Sequence, residues 1–181
     1  MKKGIVYRST GSWYTVQSEG VFYECRIKGK LRLKGIKSTN PVAVGDWVYF
    51  EVDSHANANE GNITKIEERQ NYIVRKSVNL SKQTHIIASN IDQVFLIVTL
   101  NNPPTFPAFI DRFLVTAEAY QIPAIILFNK IDTYSKLELE EITLLQKTYE
   151  NIGYSTYLIS AIQDEGIEKV KELMQDKVSM F

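Results

Sequence analysis

The chain of 181 residues, 44% apolar and 23% charged, is long enough for one large or two small packed domains and too apolar for a disordered segment. Its 21 basic and 21 acidic side chains cancel, yet residues 1–88 carry 14 Lys and Arg against 8 Asp and Glu while residues 89–181 carry 7 against 13, a front half of +6 before a back half of −6. A single cysteine, Cys25, excludes a disulfide framework or a thiolate zinc site, and the longest apolar runs, 94–98 and 122–128, are too short for a signal peptide or a membrane span. These features lead us to expect a cytoplasmic protein without a membrane partner, its basic half facing a polyanion such as RNA.

In chain order, residues 14–16, 21–27, 47–52 and 63–66 are rich in β-branched and aromatic side chains with partial alternation, and Gly11, Gly20, Gly29, Gly45 and Gly61 punctuate them as turns. About five short strands within residues 1–75 predict a small closed β barrel, and the OB-fold is the commonest such barrel that binds nucleic acid. Residues 76–90 read as a connector. From residue 91 the pattern changes to strand and helix in alternation: a buried strand at 94–98, a helix at 109–120 with Phe109, Ile110, Phe113, Leu114 and Ala117 on one face, and a second strand at 124–128. A helix at 136–151 ended by Gly153 follows, then a strand at 157–159 and a helix at 166–175 with Ile167, Val170 and Met174 inward. Continuous apolar strands alternating with helices predict a parallel sheet covered on both faces. Residues 177–181 read as the opening of one more strand.

In such sheets ligands sit beyond the carboxyl ends of the strands. The second strand runs into Asn129-Lys130-Ile131-Asp132 and the third into Ser160-Ala161, an arrangement that resembles the base site of Ras-like GTPases. Guanine offers two adjacent N–H donors where adenine offers an acceptor, and an ionised carboxylate accepts both. Asp132 is therefore expected to make that bidentate contact, with Asn129 tying neighbouring loops, the stem of Lys130 along the base plane, and the Ala161 N–H donating to the guanine oxygen. The alternative is an ordinary strand-to-helix turn in which Asp132 or Thr133 caps the helix; such a four-residue pattern arises by chance in about one chain in fifty of this length.

No G-x-x-x-x-G-K-[ST] phosphate loop occurs in the 181 residues. In the usual order it would precede Asn129, so either the fold is not a GTPase or its domain is circularly permuted, with the phosphate loop following the last strand.

Several motifs then stand together in one order: Val44-Gly45-Asp46-Trp47-Val48, Gly61-Asn62-Ile63-Thr64-Lys65-Ile66, Arg69-Gln70-Asn71-Tyr72-Ile73-Val74-Arg75, Asn90-Ile91-Asp92-Gln93-Val94, Ile110-Asp111-Arg112-Phe113-Leu114, Asn129-Lys130-Ile131-Asp132 and Ser160-Ala161. In them the chain closely resembles the RsgA/YjeQ family of circularly permuted GTPases that assist assembly of the bacterial small ribosomal subunit. The resemblance implies an OB-fold over 1–75 that contacts 16S-type rRNA, and an incomplete permuted Ras-like domain over 91–181 that holds the guanine half of a GTP site. It also implies Mg2+ as the nucleotide's companion, zinc only in a C-terminal domain of the family, and a monomer acting on the small subunit. Residues 1–181 stop short of the family's phosphate loop, switch segments and zinc cluster, so no catalytic or metal-binding residue is expected among them and these residues alone are expected to be inactive. The rival reading is a non-catalytic rRNA-binding module with a vestigial guanine site.

Lys28, Lys30, Arg32, Lys34 and Lys37 form a basic stretch matching the family's G-K-L-R segment and are the candidates for rRNA phosphate contact. Trp13, Tyr14, Tyr23, Trp47 and Tyr49 are expected mainly as packing residues, Cys25 as a buried small hydrophobe, and His55 and His85 as neither ligands nor catalysts. Asp111 and Arg112 are assigned no catalytic part.

Overall fold

The computed structural model describes residues 1–27, 41–53, 59–76 and 84–181, in two compact units divided between Asn90 and Ile91. The basic stretch from Lys28 to Lys37, and His55, lie outside the described residues.

In the first unit, β1 (Lys2–Thr10), β2 (Trp13–Ser18), β3 (Val21–Ile27), β4 (Trp47–Val52) and β5 (Glu60–Ile66) close a barrel in the order β1-β2-β3-β5-β4, antiparallel except where β3 meets β5. Its inward-facing residues alternate along the strands and make one core of Val6, Tyr14, Val16, Tyr23, Cys25, Val48, Phe50 and Ile63. Strand β1 has no counterpart in the sequence reading, because Lys2, Lys3, Gly4 and Arg8 dilute its apolar pattern. Gly4 is there for space: a Cβ on it would lie 2.5 Å from the Gln17 carbonyl oxygen on β2. The segment 76–90, expected as a connector, carries a strand: β6 (Tyr72–Lys76) and β7 (Thr84–Ser89) form an antiparallel hairpin.

The end of that hairpin is held by the Val44–Ala88 bridge, by the Ser89 N–H donating to the Val44 carbonyl at 2.9 Å, and by one buried carboxylate. Asp46, fully buried, accepts from Arg69 Nε and Nη2 at 2.6 Å each, from Ser89 Oγ at 2.6 Å and from the Ala43 N–H at 2.8 Å. Beside it Gly45 (φ +88°) lets β7 approach, since a Cβ would fall 2.0 Å from the Ser89 carbonyl oxygen.

In the second unit, β8 (Gln93–Val98), β9 (Ala124–Phe128), β10 (Ser155–Leu158) and β11 (Ser179–Met180) form a parallel sheet in the order β10-β9-β8-β11. Helices α1 (Pro107–Ala119) and α2 (Lys136–Asn151) cover one face, through Leu96, Val98, Ile110, Leu114, Ile126, Phe128, Ile142 and Tyr149. Helix α3 (Ile167–Met174) covers the other, through Phe95, Ile125, Leu127, Ile159 and Val170. The expected helix faces hold except at Phe109, which is 49% exposed: the buried stripe is Ile110, Leu114 and Ala117, and Phe109 lies outside it. Met180, beyond α3, pairs with Val94, so the strand that follows the third helix lies beside the strand that opens the unit.

Candidate functional site

The carboxyl ends of β9 and β10 bring the expected residues together. After Phe128 the Asn129 N–H still donates to the Val98 carbonyl at 2.8 Å, and the chain then turns through Lys130 in the left-handed region (φ 71°) into a single 3-10 turn at Ile131–Thr133. A left-handed lysine costs about 1–2 kcal/mol, so something must hold it there. The holder is Asn129, whose Oδ1 accepts from the Lys130 N–H at 2.8 Å and from the Ala161 N–H at 3.1 Å. With its oxygen engaged twice, the carboxamide presents Nδ2, which has no partner among the described residues.

Asp132 is fixed from the other strand. Ser160, fully buried, donates through Oγ to Asp132 Oδ1 at 2.5 Å while the same oxygen accepts from the Gln163 N–H at 3.2 Å. A two-way backbone bridge between Ser160 and Glu165 closes the turn that carries Ala161. The Lys130 ammonium donates to the Asn102 carbonyl. The Ala161 N–H, expected to donate to a base oxygen, donates at 3.1 Å to Asn129 Oδ1.

Helix α2 is capped by neither Asp132 nor Thr133. Ser135 caps it, receiving the Glu138 N–H at 3.4 Å while Glu138 returns the bond to the Ser135 N–H at 2.7 Å. These bonds hold the Glu138 carboxyl below the ordinary carboxylate range, the Ser135 hydroxyl contributing most. Asp132 is thus left without a structural duty at the helix terminus.

Tyr134 was not singled out in the sequence. Its hydroxyl accepts from the Leu100 N–H at 2.9 Å and donates to the Asn129 carbonyl at 2.9 Å, and its ring is 8% exposed in the core under α1 and α2. Burial above all raises its pKa, so at neutral pH it remains a donor. An aromatic residue two positions after the Asp of the motif was the only sequence signal for it.

On the barrel, Tyr14, Tyr23 and Cys25 are core residues, and burial pushes the Cys25 thiol up to about 12. Trp13, Trp47 and Tyr49 face outward and pack beneath cations, Arg26 at 3.7 Å, Lys3 at 4.9 Å and Lys65 at 5.5 Å from their ring centroids. Tyr7, missed because β1 was missed, and Phe22 on β3 form an exposed edge-to-face pair at 5.5 Å. A break in the β1–β2 register between Val6 and Arg8 leaves Tyr7 exposed alongside Arg8. Among the described residues no three His, Cys, Asp or Glu side chains converge as a metal site, and no helix is long and apolar enough to cross a membrane.

The RsgA N-terminal domain model matches residues 3–63 and the RsgA GTPase model residues 66–181. A protein of Flavobacterium johnsoniae named small ribosomal subunit biogenesis GTPase RsgA is 64% identical over 98% of this chain, which covers 55% of that protein. YjeQ from Thermotoga maritima superposes with a TM-score of 0.81 at 31% identity, over 99% of this chain and 59% of that one. YloQ, described as a circularly permuted GTPase, superposes with a TM-score of 0.74 at 29% identity, over 99% of this chain and 58% of that one. The chain spans about half the length of the curated relatives it matches. The barrel is accordingly an OB-fold and the sheet part of a permuted Ras-like GTPase domain, and the chain belongs to the RsgA GTPase family.

Proposed function

We propose that this chain reads the guanine base of GTP through Asn129, Lys130, Asp132, Ser160 and Ala161, and that the protein acts as a GTPase in maturation of the small ribosomal subunit. The observation that carries the base reading is the pairing of Ser160 with Asp132. It orients a carboxylate that caps no helix, and guanine's N1–H and N2–H supply the two donors such a group accepts. Asn129 Nδ2 is the complementary donor for guanine N7. Ala161 would serve the guanine oxygen as the second branch of a three-centre bond, its first branch ending on Asn129. Adenine offers the carboxylate an acceptor, a mismatch that discriminates by about 10⁴.

Hydrolysis of GTP is proposed for the gene product as a whole, on the strength of the relatives' names; Mg2+ bound with the nucleotide would neutralise charge on the phosphates. Binding to rRNA, in a cytoplasmic setting, is supported by the +6 charge of residues 1–88 and by the outward aromatic and cationic side chains of the barrel. Lys28, Lys30, Arg32, Lys34 and Lys37 are the proposed phosphate contacts.

The test is Asp132→Asn in the full gene product, with Kd measured for GDP and XDP. The amide can donate to the extra oxygen of xanthine, so GDP affinity should fall at least about a hundredfold and XDP should become the preferred ligand. An unchanged preference for GDP would remove Asp132 from base recognition.

A further inference from the structure

The ladder between β8 and β9 ends in an irregularity. Pairing runs in parallel from Val94↔Ala124 to Val98↔Phe128, and the Asn129 N–H continues it by donating to the Val98 carbonyl at 2.8 Å. In an evenly spaced parallel ladder, a residue whose N–H bonds the carbonyl of residue 98 receives, on its own carbonyl, the N–H of residue 100. That next rung, Leu100 N–H to Asn129 carbonyl, is replaced. The Tyr134 hydroxyl stands in it, bonded at 2.9 Å to each of the two groups. Two bonds in series occupy the place of one, so the Leu100 N–H and the Asn129 carbonyl are joined through the phenolic oxygen where the chain turns from β9 into Lys130. Both backbone groups stay satisfied, which removes the penalty of leaving them bare.

The two residues after Leu100 are tied to the segment that follows β9. Asn101 Nδ2 donates to Glu138 Oε1 at 2.7 Å, and the Lys130 ammonium donates to the Asn102 carbonyl.

We propose that Tyr134 is a positioning residue for base recognition: its hydroxyl, wedged into the β8–β9 ladder as a substitute rung, sets the backbone of Asn129 and so aims the Asn129 carboxamide at the base. The inference rests on the guanine reading above. Asn129 is held on every polar atom but one: N–H by Val98, carbonyl by Tyr134, and Oδ1 by two N–H groups. Without the hydroxyl, either the Leu100 N–H closes directly onto Asn129 and draws it toward β8, or both groups lose their partner. Each outcome displaces Nδ2. Asp132 is untouched, because its anchor is Ser160 on the far strand.

The two halves of base reading should therefore separate. The probes are GDP and 7-deaza-GDP, which lacks the N7 acceptor, measured as Kd on the full gene product beside XDP and ADP. The native protein should bind 7-deaza-GDP about tenfold more weakly than GDP, the order expected of one hydrogen bond. In Tyr134→Phe the GDP affinity should fall about tenfold and the ratio of the two should approach one, with preference for GDP over XDP retained. Asn129→Ala should also bring the ratio to one, and the double variant should lose no more than Asn129→Ala alone.

Since each ratio compares two ligands on one protein, a reduced folded fraction scales both and leaves it unmoved. A native ratio surviving in Tyr134→Phe, even with a lowered melting temperature, would reduce the phenol to a packing residue and overturn the proposal. Native protein that prefers GDP to ADP and XDP yet binds 7-deaza-GDP equally would overturn the aim of Asn129 alone. A native protein indifferent to GDP and ADP would overturn the base reading itself, and this inference with it.

Discussion

Asp46 shows how much can hang on one side chain. Four donors converge on its carboxylate, and the Arg69 side chain that supplies two of them is 5% exposed and also donates through Nη2 to the Pro41 carbonyl at 2.9 Å. Removing one partner of a buried pair strands the other, at about 3–5 kcal/mol, whereas a well-packed apolar replacement of both can be neutral. Asp46→Ala should therefore lower unfolding free energy in urea by about 3–5 kcal/mol, and Asp46→Leu combined with Arg69→Met should recover most of it. A loss below about 1 kcal/mol in the single variant would show that the pair contributes orientation alone. Arg69 Nη1, buried and without a partner, is the one imperfect element of the cluster among the described residues.

Helix α2 is the element where sequence and structure agree most closely, both running from residue 136 to residue 151, because its limits are set by neighbours in the chain: the Ser135 capping box before it and Gly153 (φ +102°) after it. The Asn129-Lys130-Ile131-Asp132 turn was legible for a similar reason, since an apolar strand leads straight into it. The rung that Tyr134 replaces was not, because it depends on Leu100, thirty-four positions away. Strand β1 escaped notice because Lys2, Lys3, Gly4 and Arg8 interrupt its apolar pattern, and the cations over Trp13 and Trp47 were not legible because periodicity does not reveal which face a cation covers. The capping box itself titrates. The Glu138 pKa lies below its ordinary 4.5 in the folded chain, so its contribution is fully present above that value and disappears as pH falls through the folded pKa. Thermal melting of the wild type should therefore converge on that of Glu138→Gln as pH falls from 4.5 through the lower folded pKa, and a gap that persisted once the carboxyl is protonated in both states would show that the carboxylate is not what holds the cap.

At the scale of the molecule, two units carry opposite chemistries. The first, Met1–Asn90, holds the whole +6 and the second, Ile91–Phe181, the whole −6. If the first unit binds rRNA through phosphates, log Kd should rise linearly with log salt at about 0.7 per single-stranded phosphate contacted, and neutralising Lys30, Arg32 and Lys34 together should flatten the slope by about two. Affinity indifferent to both salt and these substitutions would remove the RNA reading while leaving the base site untouched. The same division makes the formal net charge of zero a poor description of the protein's surface. Charge that is segregated does not cancel for anything that touches one unit at a time. At neutral pH and low ionic strength this chain would be retained by a cation exchanger through its first ninety residues and by an anion exchanger through the remainder, like two proteins travelling as one.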